Sequence, residues 1–519
     1  MVKRPGGRGA TPGDGDPGGC RIIIDPEFRV GEVDPRLFGS FIEHLGRAVY
    51  TGIYEPDHPD ADDQGFRRDV LGLVRQLGVP IVRYPGGNFV SAYDWLDGVG
   101  PRDARPKRLD LAWHTLETNQ VGTDDFCEWA RRAGTEVMMA ANLGTAGVDS
   151  ARNLVEYCNH PGGSRYSDLR IANGRTEPHA IKTWCLGNEM DGPWQVGHKN
   201  AAEYGALASN AAKAMKAVDR TIELIACGSS GAQMSTYGTW ETTVLDHCYD
   251  DVDYLSLHTY FFPSSDDPGS FLAQNVEMDD FIRSVASMCD TVRARKRSKK
   301  RVHLSFDEWN VWRMTDGDFA VMGGEDWPEA PPLYEQPYTL EDAVAVGLMA
   351  ITLLRNADRV KIGCLAQLVN TIAPITTVAG GPAHRQTIFY PYLHVSRYGR
   401  GTALDVQVRS PHYECAKFGA VPLLDAVAVN DEEHDSLTLF AVNRSIGAML
   451  PVEGDVRGVP GYQVLEHLVL EHEDRLAQNT AEHPDTVVPH RLGDAALAGG
   501  RLTASLPPLS WNVIRMARG

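Results

Sequence analysis

Two carboxylates stand where a fold could put them to work. The apolar run 181–186 (IKTWCL) stops at Gly187-Asn188-Glu189, and the run 302–306 (VHLSF) stops at Asp307-Glu308-Trp309-Asn310-Val311-Trp312. A short apolar run bounded by polar residues reads as a buried strand. Two carboxylates at such strand ends can act as a pair. One protonates a leaving oxygen while the other attacks the carbon or activates water. Facing carboxylates also repel, which keeps a proton on one of them. Other apolar runs end in Glu43-His44, in Arg83 followed by Asn88, in Asn142, in His258-Thr259-Tyr260 and in Gln367. Amides, an arginine and a histidine suit a hydroxyl-rich ligand, and Tyr260, Trp309 and Trp312 offer flat walls for sugar rings. The set points to hydrolysis of a glycosidic bond.

Other chemistries lack their residues. There is no HExxH and no cysteine cluster at ligand spacing, so a metal is not expected, although Glu43, His44 and His258 are ligand types. The Gly86-Gly87 pair lacks the Lys-Ser/Thr of a phosphate-binding loop and reads as close backbone approach or a turn. No Gly-x-Ser-x-Gly elbow is present. No cofactor is expected.

The elements that must position these residues follow one theme. Short apolar runs at 38–42, 81–84, 136–141, 181–186, 223–227, 254–258, 302–306 and 361–366 alternate with helical patterns, clearest at 66–77, 125–133, 201–218, 278–295 and 340–356. Eight strands alternating with helices predict a (β/α)₈ barrel over 37–385, with the polar strand ends forming one cup. A doubly wound sheet is the alternative, but no Gly-x-Gly-x-x-Gly follows the first strand. Beyond 386 the runs are short and alternating, which predicts an antiparallel β-sandwich over 386–519. A strand at 21–30 has no partner in the barrel and is expected to cross over to that sandwich, giving it residues 20–36.

The formal net charge of -19 argues against a nucleic-acid partner. The basic run 293–301 (RARKRSKKR) reads as a solvated helix end. Nine cysteines with no CxxC pair imply a reducing compartment. No run is long and apolar enough for a bilayer, so no membrane is expected. Residues 1–19 lack the apolar core of a signal peptide and read as a disordered tail. These features predict a cytoplasmic protein.

The motifs GSFIEHLGR (39–47), RYPGGNF (83–89), WCLGNEMDGPWQ (184–195), LSLHTYF (255–261), DEWNVW (307–312) and ADRVKIGCLAQLVN (357–370), in that order, resemble the α-L-arabinofuranosidases of glycoside hydrolase family 51. The resemblance runs from about residue 21 to the closing LPPLSWNVIR. It implies a retaining exo-hydrolase acting on arabinofuranose-containing oligosaccharides or polysaccharides. It implies Glu189 as acid/base, Glu308 as nucleophile and Asn188 as the amide on the sugar 2-hydroxyl. Glu43, Arg83, Asn88, His258, Tyr260, Trp312 and Gln367 match the other sugar-binding positions. It also implies a homo-oligomer, often a hexamer. The loop 316–336 is expected to shape the leaving-group side. Endo-glucanase or β-xylosidase activity on the same scaffold, and sugar binding without catalysis, are the alternatives.

Overall fold

The computed structural model describes residues 19–519 apart from 316, 319 and 321–323. The expected tail at 1–19 lies, but for its last residue, outside the described residues. Eight parallel strands close a barrel: Gly39–Phe41, Ile81–Tyr84, Glu136–Ala141, Thr183–Leu186, Glu223–Ala226, Tyr254–Phe261, His303–Val311 and Val360–Ala366, each paired to the next and the last to the first. Helices pack around them. Arg68–Leu77 buries Val70, Leu71, Val74 and Leu77, one stripe at helical spacing, and ends at Gly78 with a left-handed φ of 69°. Ala201–Val218 begins at Asn200, whose side chain accepts the N–H groups of Ala202 and Glu203.

The sixth and seventh strands run further than their apolar cores predict, to Phe261 and Val311. Tyr260 and Glu308 therefore lie within strands rather than after them. Register shifts fall between Ser256 and His258 in one ladder and between Phe306 and Trp309 in the next. Such irregularities re-aim side chains beside functional sites.

The sandwich has a five-stranded and a seven-stranded sheet. The run expected as one strand at 21–30 is two, Cys20–Ile24 and Arg29–Val33, and each enters a different sheet. Asp25-Pro26 breaks the run, because proline has no N–H for a ladder. Cys20–Ile24 pairs parallel with Leu450–Val456; every other ladder described in these two sheets is antiparallel.

Helix Leu340–Arg355 is buried along most of its length, packed between the barrel and the larger sheet. At Gly347 a Cβ would lie 2.5 Å from the Trp511 ring, so the bare backbone lets the sheet approach. Beside it Asp425 accepts from Arg444 at 2.7 Å and Asn275 at 2.9 Å and pairs with Arg355. The basic run ends helix Asn275–Lys296, where cations oppose the negative end of the helix dipole. All nine cysteines are free. Among the described residues no helix is long and apolar enough to cross a membrane.

Candidate active site

The strand ends converge at one mouth of the barrel. Glu308 on the seventh strand stands in register with His258 on the sixth. Oε1 of Glu308 accepts from Nη1 of Arg83 at 2.6 Å, and Oε2 accepts from the Tyr260 hydroxyl at 2.9 Å. The other terminal nitrogen of Arg83 donates to Oδ1 of Asn188 at 2.6 Å. Arg83 is fully buried with its guanidinium over the Phe41 ring, so one planar fork fixes a carboxylate and an amide together. Asn188 also donates to Oδ1 of Asn88 at 3.2 Å.

His258 is the electrostatic hub. Its Nδ1 lies 2.9 Å from Oε1 of Glu189 and 3.6 Å from Oε2 of Glu308, and its Nε2 lies 3.0 Å from Oδ1 of Asp307. Both ring nitrogens face carboxylates, and carboxylates only accept, so both must donate. Burial works against the imidazolium, but Glu308, Asp307 and Glu189 outweigh it and push the value up to about 10. Burial likewise opposes charge on Asp307, yet Arg83 and His258 hold its carboxyl below the usual range. Ser256 donates to the same carboxylate at 2.5 Å.

Glu189, His258 and Glu308 each place a metal-ligand type of atom within 4.8 Å of the others. An imidazolium has no lone pair for a cation, so the trio suits ion pairing. Two cations, Arg83 and His258, then face the anions Asp307 and Glu308.

Glu43 closes the floor. Its Oε1 accepts from the Phe89 backbone N–H and from Trp113 Nε1, both at 2.8 Å, and its own N–H donates to Gln367 at 3.0 Å. Burial, reinforced by the charge of Glu308, pushes its carboxyl up to about 8 despite those donors. A Cβ on Gly87 would lie 2.3 Å from Glu43 Oε2, so the glycine pair is a bare stretch of backbone against this side chain. A cavity of about 440 Å³ opens above, lined by Glu43, Asn88, Glu189, Tyr260, Glu308, Trp312 and Gln367 among others. Larger hollows of about 730 and 710 Å³ lie beside Arg21 on the sandwich and beside His179 on the barrel, away from these groups.

Two family models match the chain: the "Alpha-L-arabinofuranosidase 1 domain" over residues 73–267 and the "Alpha-L-arabinofuranosidase C-terminal domain" over 307–510. The chain is 60% identical over 498 residues to an intracellular exo-α-(1→5)-L-arabinofuranosidase of Halalkalibacterium halodurans, covering 96% of this chain and 99% of the relative. The solved structure of a family 51 α-L-arabinofuranosidase from Bifidobacterium longum superposes with a TM-score of 0.91 at 46% identity, covering 96% of this chain and 100% of that one. The chain belongs to the family 51 α-L-arabinofuranosidases. A Bacillus subtilis member, also named an intracellular exo-α-(1→5)-L-arabinofuranosidase, is 56% identical over 500 residues, 96% of this chain and 99% of its own length.

In this arabinofuranosidase the ten residues singled out from the sequence lie around one mouth. Arg83, Asn188 and His258 stand behind the cavity wall, and the other seven line it. Trp309 is the correction among the expected aromatic walls. Alternation along the strand turns it away from Glu308, and it is buried in the core at 2% exposure. His44 is bound to Glu117 and Tyr84, both at 2.8 Å, and does not line the cavity. Sequence reasoning missed Trp113 and Trp194, which reach the site from loops. It gave no role to Asp307, although that residue sits beside Glu308 in the motif.

Proposed function

We propose that this chain is a retaining, exo-acting α-L-arabinofuranosidase working by double displacement, with Glu308 as nucleophile and Glu189 as acid/base. The observation that carries this reading is the carboxylate spacing, within 4.8 Å between one oxygen of each. Retaining glycosidases hold their carboxyl groups about 5 Å apart, and inverting ones leave room for a water at about 6.5–9.5 Å. Glu308, ionised beside Arg83, attacks the anomeric carbon while Glu189 gives its proton to the departing oxygen. Glu189 then takes a proton from the water that releases arabinose. The lost charge on esterified Glu308 favours that exchange of roles. Asn188, held by Arg83, is placed for the sugar 2-hydroxyl. Glu43, Asn88, Tyr260, Trp312 and Gln367 bound the ring.

The names of the two relatives above support α-(1→5)-linked arabino-oligosaccharides as substrate and an intracellular setting. A third relative, from Bifidobacterium longum and 48% identical, is named an exo-α-(1→6)-L-arabinofuranosidase, so linkage is the point to test. Arabinose release from α-(1→5)-linked, α-(1→6)-linked and branched oligosaccharides tests it. Turnover confined to aryl β-xylosides or β-glucans contradicts the reading. Glu308→Gly abolishes turnover on every substrate if the nucleophile is named correctly. The hexamer implied by the resemblance belongs to this proposal too, and light scattering on the purified chain tests it.

A further inference from the structure

The leaving-group rim holds a contact that these roles do not use. Trp194 is half exposed, at 50%, yet its indole N–H is directed inward: Nε1 donates to Oε2 of Glu189 at 2.7 Å. The chain is built to make this contact. Glu189 has a φ of 43°, in the left-handed region that few side chains adopt. The Gly192 N–H then donates to the Glu189 carbonyl at 2.8 Å, and the Gln195 N–H to the Gly192 carbonyl at 3.0 Å. Two turns in succession fold residue 194 back over residue 189. The indole seats against Gly192, where a Cβ would lie 2.6 Å from Cε2 and 2.9 Å from Nε1. Asp191 ties the loop to its neighbour by accepting the Ser230 N–H at 3.1 Å.

Both oxygens of Glu189 are thus oriented. His258 takes Oε1 on the barrel side, which leaves Oε2, under Trp194, as the oxygen toward the rim where the leaving group departs. We propose that Trp194 is a positioning residue whose indole N–H aims Oε2 of Glu189 at the glycosidic oxygen. This rests on the acid/base reading of Glu189. In the step it serves, Glu308 supplies the electron pair of the new bond to the anomeric carbon. The pair of the old carbon–oxygen bond leaves with the glycosidic oxygen, and the proton passes from Oε2 to that oxygen.

Two variants test the contact from opposite sides. Trp194→Phe keeps a ring and removes the N–H; Gly192→Ala keeps the N–H and blocks its seat. On an α-(1→5)-arabino-oligosaccharide, whose leaving group needs a proton, each loses about tenfold in kcat/KM. On an aryl α-L-arabinofuranoside with an acidic phenol, each stays within about twofold. Equal losses on both substrates, or no loss on the oligosaccharide, overturns the proposal. Glu189→Ala separates the two claims. If it shows the leaving-group split and Trp194→Phe does not, the positioning role fails; if it shows no split, the acid/base reading fails.

Discussion

Arg83 and Glu308 are joined by a 2.6 Å hydrogen bond at the centre of the barrel mouth, with the arginine side chain 1% and the carboxylate 8% exposed. The same guanidinium holds Asn188. Lysine keeps the charge but is a point donor without the planar fork. Arg83→Lys therefore lets go of either Glu308 or Asn188. Activity on arabino-oligosaccharides is expected to fall by at least about a hundredfold, since small misplacements at a reacting centre cost that much. Steady-state kinetics beside a thermal melt separate this loss from unfolding. Near-normal turnover contradicts the shared anchor.

Glu189 is predicted to matter in proportion to the leaving group. General acid catalysis contributes about 10²–10⁴-fold, and only where the departing oxygen needs a proton. Glu189→Ala should lose activity in that range on oligosaccharides, and far less in kcat/KM on an aryl arabinofuranoside with a good leaving group. Equal losses contradict the role.

Glu43 gives the fold a measurable pH dependence. Its carboxyl sits at about 8, above the ordinary value of 4.5, so the folded chain holds this proton more tightly than the unfolded one. Its stabilising contribution is complete below 4.5 and is lost as pH rises through about 8. Glu43→Gln mimics the protonated form. Across about pH 5 to 8 the melting temperature of the wild type is expected to fall relative to that variant, and above about 8 the two curves run parallel. A constant difference across that range contradicts a shifted Glu43.

Most of this site was legible because barrel topology turns strand ends into one place. Once 181–186 is the fourth strand and 302–306 the seventh, Glu189 and Glu308 must share a mouth. What escaped were residues that arrive by other routes. Trp113 comes from the hairpin of Arg108–Asp110 and Thr115–Glu117, and Trp194 from a folded-back turn, so neither follows a strand in sequence. Trp309 was misplaced because the seventh strand continues to Val311, and alternation, rather than proximity to Glu308, decides where a side chain points. In the sequence the N-terminal run reads as one strand because its apolar pattern carries across Asp25-Pro26. The break there sends its two halves to different sheets.

Asp425 holds the barrel against the sandwich. Burial disfavours its charge, but Arg355 and Arg444 hold its carboxyl below the usual range. That stabilisation is present above the ordinary value of 3.8 and is lost as pH falls below it. Asp425→Ala at neutral pH leaves two arginines beside a vacated partner, and removing one member of a buried pair costs about 3–5 kcal/mol. A urea titration should show that loss, with activity of the folded fraction unchanged because Asp425 does not line the cavity. An unaltered midpoint contradicts the interface account.

The central claim is that two carboxylates within 4.8 Å perform a double displacement. Proton NMR of the first arabinose released from an α-L-arabinofuranoside, recorded before mutarotation, reads this directly. The α-anomer appearing first is the predicted result. The β-anomer appearing first means a single displacement by water, and contradicts Glu308 as nucleophile.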